Sequence, residues 1–256
     1  MSVSDWVIHK FGGSSVADAD CFRRVAAIIE DQAPGRLGVV LSACRGVTDS
    51  LLGLVTLAEA QDASYTLRLA ELRSRHATIA GALLQQQAAA SYLAALDADL
   101  RDIGGILNSV RLIRAAAGNV RDLIAGFGEI WSTRLFGEFL RARARRPGEV
   151  RWLDARRVVV VEWGPLGPAV DWEASQRNFD ALVERDFAGT LIITGFIASA
   201  RKGIQTTLGR NGSDFSASIF GALAKAREIH IWTDVDGVLS ADPRLVPDAQ
   251  VIDSLS

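Results

Sequence analysis

Residues 6–16 read Trp-Val-Ile-His-Lys-Phe-Gly-Gly-Ser-Ser-Val, and this stretch decides how the rest of the chain is read. Trp6 to Phe11 is a short apolar run, Gly12-Gly13-Ser14-Ser15 breaks it, and Phe22, Val25, Ala26 and Ile29 then recur at helical spacing. The pattern predicts strand, turn, helix. A second apolar run, Leu37 to Leu41, meets the small polar stretch Ser42 to Thr48, after which Leu51, Leu54, Val55 and Ala58 repeat the helical spacing. The unit has occurred twice.

From about Tyr65 to Arg146 the pattern is almost wholly helical, rich in Ala, Leu and Arg, and predicts three or four helices with breaks at Gly104-Gly105 and Gly118-Asn119. Strand signals return at Val150 to Leu153, Val158 to Glu162, Thr190 to Thr194 and Ile229 to Thr233. Helices are expected at Glu173 to Arg185 and Ser213 to Ala226. Strands alternating with helices predict an α/β fold with an open, mainly parallel sheet sandwiched by helices. No repeat, low-complexity tract or linker divides the chain, so one domain is expected.

The chain has 256 residues, 49% hydrophobic and 23% charged, with 28 Lys+Arg against 30 Asp+Glu. A net charge of -2 excludes a global basic face for nucleic acid or anionic lipid and leaves small molecules as the expected partners. Seven arginines lie between Arg141 and Arg157, but Glu149, Asp154 and Pro147-Gly148 interrupt them, which favours a solvated helix end and turn over a binding patch. The charge-free stretch His76 to Leu96 has Gln85, Gln86 and Gln87 at its centre and reads as a helix outside any membrane. No apolar signal core precedes Asp5, Trp6 and His9, and Cys21 and Cys44 have neither CxxC nor His spacing. A cytoplasmic protein is expected. Among the 28 basic residues the lysines are Lys10, Lys202 and Lys225, so a lysine at position 10 suggests a need for a compact ammonium.

Three segments carry candidate chemistry. In Lys10-Phe11-Gly12-Gly13-Ser14-Ser15, two glycines let backbone approach a ligand and helix-start amides favour an anion, although such a glycine pair taken alone is more often just a turn. Neither GxxxxGK[ST] nor GxGxxG is present, which argues against a P-loop and a dinucleotide fold. Thr206-Thr207-Leu208-Gly209-Arg210-Asn211-Gly212-Ser213-Asp214 opens a helix that Ser213 or Asp214 could cap. A cap leaves unexplained Arg210, a bidentate carboxylate or phosphate binder inside the turn. Trp232-Thr233-Asp234-Val235-Asp236-Gly237-Val238 follows a strand, with Asp242-Pro243-Arg244 shortly after. It lacks the remaining ligands of an EF-hand, so a nucleotide-facing loop competes with a plain turn. Ser42 and Thr48 flank a glycine after the second strand. Glu129, in Gly126-Phe127-Gly128-Glu129, shares a helix with Phe127, Trp131 and Leu135. A carboxylate in such company needs a partner. A substrate ammonium and an internal arginine are both open.

Taken in order, these segments resemble the aspartate kinases of the amino acid kinase superfamily. KFGGSSV is similar to the family's opening KFGGTSV; LSACRGVT resembles its second-strand loop, GFGE its substrate glutamate motif, and TLGRNGSD and WTDVDGV its nucleotide-side loops. LGRNGSD and IWTDVDGV are especially similar to the bifunctional aspartate kinase/homoserine dehydrogenases. The resemblance spans Trp6 to Arg244 and implies the amino acid kinase fold. It implies transfer of the ATP γ-phosphoryl group to the β-carboxylate of L-aspartate, giving 4-phospho-L-aspartate, with ATP and Mg²⁺ required and no metal held by the protein alone. On the same ground Lys10 and Asp214 are catalytic, and Lys10, Gly12, Gly13, Ser213, Thr233, Asp234 and Arg244 face ATP. Ser42, Thr48, Glu129 and Arg210 hold aspartate, Glu129 by its α-ammonium and Arg210 by its α-carboxylate.

The sequence departs from the family at Leu239, where a Tyr is frequent, and ends at Ser256, before the family's GAKVLHP segment. The expectation is an amino acid kinase catalytic domain over residues 1–256, short at its C-terminal end and without regulatory domains, from a full-length homo-oligomer. Two alternatives stand beside it: another carboxylate or phosphate kinase of the superfamily, and an inactive binding or oligomerisation fragment.

Overall fold

The computed structural model describes residues 5–32, 35–146, 148–165, 167–233, 237, 240, 241, 245, 246 and 248–252. The chain opens with β1 (Trp6–Phe11), α1 (Ala19–Glu30), β2 (Arg36–Leu41) and α2 (Val47–Glu59), and continues through α3 (Tyr65–Leu83), α4 (Gln86–Ile113), α5 (Gly118–Ala125) and α6 (Phe127–Arg141). Then come β3 (Val150–Leu153), β4 (Val160–Gly164), β5 (Gly167–Val170), α7 (Trp172–Leu182), β6 (Gly189–Thr194), β7 (Ile197–Ala200), β8 (Gln205–Thr207), α8 (Gly212–Ala224) and β9 (Glu228–Trp232).

Five strands form a parallel sheet in the order β3-β6-β2-β1-β9. All six residues of β1 are buried, as are the five of β2 after Arg36, so both sheet faces are covered. Continuous apolar runs belong in such a place. One layer joins α1 to α6 through Phe22 and Phe136, with ring centroids 5.9 Å apart; another joins α7 to α8 through Phe179 and Phe220 at 6.3 Å.

Three expectations need correction. The sequence predicts one sheet, but β4 belongs to a second, mixed sheet in the order β5-β4-β7-β8. The strands β5, β7 and β8 are three or four residues long, too short for alternation to show. β4 also starts at Val160 rather than Val158, because the short 3-10 turn Ala155–Arg157 carries the chain on until Val159 N–H bonds Ala155 O at 2.7 Å. Second, Gly104-Gly105 does not break the helix. α4 runs straight through the pair, and Ile103 and Leu107 on either side are completely buried, which outweighs glycine's cost of roughly 0.5–1 kcal/mol each. Third, the stretch His76 to Leu96 is two helices, α3 and α4, separated by Leu84 and Gln85 in extended conformation. Folding back lets Tyr92 O–H meet buried His76 Nδ1 at 2.9 Å and Arg73 grip Asp97. Among the described residues no helix is long and apolar enough to cross a membrane.

The arginine run proves to be a salted surface: Arg141 pairs with Glu138, Arg143 with Glu30, Arg151 with Glu184 and Arg156 with Asp154.

Candidate active site

Register across the main sheet aligns Phe11 with Leu41, Leu41 with Thr194, and Phe11 with Trp232. The loops after β1, β2, β6 and β9 therefore leave along one edge, the carboxyl ends at which open α/β sheets take ligands.

Lys10, the penultimate residue of β1, is buried, and its Nζ lies 2.7 Å from Oδ1 of Asp214 in the first turn of α8. The contact is an ion pair rather than an aligned hydrogen bond, since Asp214 Oδ1 has no partner at hydrogen-bonding angles. The ammonium hangs over Gly12, where an added Cβ would sit 3.6 Å from Nζ. Gly13 is packed closer still, its Cβ position 2.9 Å from Ala43 O. Backbone and ammonium thus form a shallow cradle whose chemistry suits an anion.

The next loop joins both sides. Ser42 Oγ–H donates to Ser213 Oγ at 2.9 Å, tying the end of β2 to the start of α8. Neither Ser213 nor Asp214 caps that helix, contrary to expectation: Asn211 stands at the cap with φ 57° and makes no side-chain cap bond. This leaves Ser213 and Asp214 free to point along the edge. Beside Ser42, Ala43 N–H donates to Glu129 Oε1 at 3.1 Å.

Glu129 sits in the first turn of α6, fully buried, and its Oε2 has no partner. Among the described residues neither an arginine nor another cation pairs with it. Burial pushes its carboxyl up to about 8, against the Ala43 amide, which pulls the other way. Gly128 brings α6 against the β2 loop, for a Cβ there would lie 2.7 Å from Ala43 Cβ. Ser132, one turn on, reaches Ser42 O at 2.7 Å and Glu129 O at 3.2 Å, so it holds the same loop from behind.

Two candidates stand farther off. Thr48 is half-buried in the first turn of α2, and its side chain makes no hydrogen bond with the described residues. Arg210 is exposed and pairs with none of them. Thr233 follows β9 at the same edge, whereas Asp234 and Arg244 lie outside the described residues, as does Leu239. The sequence reasoning missed the turn after β6. Gly195 N–H bonds Leu41 O at 2.9 Å, and a Cβ on it would lie 2.9 Å from Ser213 Cβ. Phe196 follows with φ 66°, held by Ser216 Oγ on its N–H and Leu208 N–H on its carbonyl. Left-handed backbone at a phenylalanine is strained, and such strain gathers at functional sites. The available signal was a glycine directly after an apolar run, as at Gly12.

The model of the amino acid kinase family matches residues 5–256. The chain belongs to the amino acid kinase family. It is 39% identical over 98% of its length to the chloroplastic bifunctional aspartokinase/homoserine dehydrogenase 1 of Zea mays, covering 27% of that protein. It is 35% identical over 99% of its length to lysine-sensitive aspartokinase 3 of Escherichia coli, covering 54% of it. The chain therefore spans between about a quarter and about half of these relatives. Its structure resembles that of E. coli aspartokinase III in complex with aspartate and ADP, with a TM-score of 0.82 and 31% identity over 96% of this chain and 53% of that one. The sheet and its helical layers are the amino acid kinase fold.

Proposed function

We propose that this chain carries an aspartate kinase active site, transferring the γ-phosphoryl of MgATP to the β-carboxylate of L-aspartate. The observation that carries the reading is Glu129: a buried carboxyl with one free oxygen, one loop away from the Lys10 cradle. An α-ammonium would supply the missing partner and let the carboxyl ionise. Arg210 would take the α-carboxylate as a bidentate fork, while Ser42 and Thr48 would line the same side. The names of the relatives favour aspartate among amino acids.

In the reaction, a β-carboxylate oxygen attacks the γ-phosphorus as the bond to the β,γ-bridging oxygen breaks, and ADP leaves with that electron pair. A carboxylate is already ionised at neutral pH, so no general base is needed, and catalysis rests on positioning and charge neutralisation. Lys10 would meet the charge that builds on the transferred group, Asp214 would aim Lys10, and Gly12, Gly13 and Ser213 would cradle phosphate oxygens. Thr233, Asp234 and Arg244 would face the nucleotide. The residues fit a Mg²⁺ that arrives on the nucleotide: Asp214 offers a carboxylate oxygen beside the Lys10 cradle that accepts no aligned hydrogen bond. Bound there, the ion would neutralise β- and γ-phosphate charge.

A coupled assay of ADP release with L-aspartate, L-glutamate, acetate and carbamate as acceptors tests the reading. Turnover confined to aspartate is expected; equal or greater turnover with another acceptor would place the chain elsewhere in its family.

A further inference from the structure

The two groups proposed to grip the ends of the amino acid come from separate segments, Glu129 from α6 and Arg210 from the loop between β8 and α8. Arg210 is exposed and flanked by left-handed Gly209 (φ 74°) and Asn211 (φ 57°), so its place is inherited from the strand that leads to it. That strand is held by Asp122 of α5, the helix leading into α6. Thr206 Oγ–H donates to Asp122 Oδ2 at 2.8 Å, Thr207 N–H to the same oxygen at 3.3 Å, and Thr207 Oγ–H to Oδ1 at 3.3 Å. Trp163 Nε1–H in turn donates to Thr206 Oγ at 2.8 Å, which leaves the hydroxyl proton for Asp122. The joint beneath is locked as well. Gln205 Nε2–H bonds Leu123 O at 3.2 Å, and a Cβ on Gly126, between the two helices, would lie 2.6 Å from Gln205 Nε2 and 2.8 Å from Ile197 Cγ2.

We propose that Asp122 is a positioning residue that sets the gap between Glu129 and Arg210, and with it the affinity for an α-amino acid. The inference rests on the aspartate kinase reading. Asp122 touches no substrate; it acts through the β8 strand on Arg210.

The test is steady-state kinetics and melting temperature for Asp122→Ala, Asp122→Asn, Arg210→Ala and the double variant Asp122→Ala/Arg210→Ala. Asp122→Ala should raise the aspartate KM about tenfold while the ATP KM stays within about twofold. Asp122→Asn keeps an oxygen for Thr206 and Thr207 N–H and should restore most of the affinity. Adding Asp122→Ala to Arg210→Ala should cost less than about twofold more, as for residues acting in series. If Asp122→Ala does not fold, Thr207→Val removes one of the three bonds at constant size and should raise the aspartate KM about threefold. KM values that rise together, or losses that multiply in the double variant, would overturn the positioning role in an otherwise active aspartate kinase. Absence of aspartate-dependent ADP release from the unsubstituted protein would sink the functional reading, and this role with it.

Discussion

Lys10 and Glu129 are buried polar groups, and each has an incomplete set of partners among the described residues. Among the described residues Lys10 pairs only with the misaligned carboxylate of Asp214, so a phosphoryl group arriving there would compete with little for its protons. On the proposed reading Lys10→Ala should lower kcat by roughly 10²-fold or more in a folded protein, because the ammonium would meet charge that peaks in the transition state. Lys10→Arg should recover little, since a planar fork replaces a compact ammonium that packs over Gly12, with only 3.6 Å between Nζ and the place a Cβ on that glycine would take. Near-normal turnover of either variant would remove Lys10 from catalysis. Glu129→Gln keeps the shape and loses the charge, so the aspartate KM should rise by about 10- to 100-fold, the equivalent of a charged hydrogen bond of about 1.5–3 kcal/mol. An equal rise in the ATP KM would make Glu129 structural. At this scale the sequence marked Lys10, Glu129, Ser42, Ser213 and Asp214, and the structure brings all five around the end of β2. It could not mark Asp122, Ser132 or Phe196, whose importance lies in contacts with residues far along the chain.

Helices expose a different limit, since the same residue type serves opposite ends. Gly105 in α4 has open space where a Cβ would stand, whereas Gly128 in α6 has Ala43 Cβ 2.7 Å away. Gly105→Ala should therefore stabilise the protein by about 0.5–1 kcal/mol through helix propensity alone, visible as a raised melting temperature with unchanged kinetics. Gly128→Ala should push α6 off the β2 loop, loosening the Ala43 N–H bond to Glu129, and raise the aspartate KM more than the ATP KM. A Gly105 variant that unfolds at lower temperature, or a Gly128 variant with unaltered KM, would contradict these assignments. In the sequence Gly104-Gly105 reads as a break and Gly126-Phe127-Gly128 as a motif. Spacing cannot tell a tolerated glycine from a required one, because the difference is the distance to another element.

Across the whole molecule, the buried groups among the described residues that tie stability to pH near neutrality are His9, His76 and Glu129. Burial, then the neighbouring His230, lower His9 to about 4 despite Glu228, and burial, then Arg75, lower His76 to about 4 from 6.5. As pH falls below 6.5 the unfolded chain takes up two imidazole protons that the fold refuses, so stability is lost. Glu129 has the opposite sign. Raised from 4.5 to about 8, it holds a proton in the fold that the unfolded chain releases, so its contribution is lost as pH rises through that window. Two protons outweigh one below 6.5 and Glu129 acts alone above it, so unliganded stability should peak close to pH 6.5. Urea melts between pH 5 and 8.5 check this, and Glu129→Gln should flatten the alkaline side; stability that climbs steadily to pH 8.5 in the unsubstituted protein would refute it. The sequence by itself determined the parallel sheet, since unbroken apolar runs such as Val39 to Leu41 can be buried only where both faces are covered. It also determined the turn after β1, because glycines next to a strand end act through their own backbone. Only the tertiary structure decided that β4 leaves for a second sheet, that Ser42 bonds Ser213, and that Asp122 holds the strand before Arg210. The reason is range: a backbone preference or a period of apolar residues is written locally, whereas a hydrogen bond between residues 84 apart exists only after the core has brought them together.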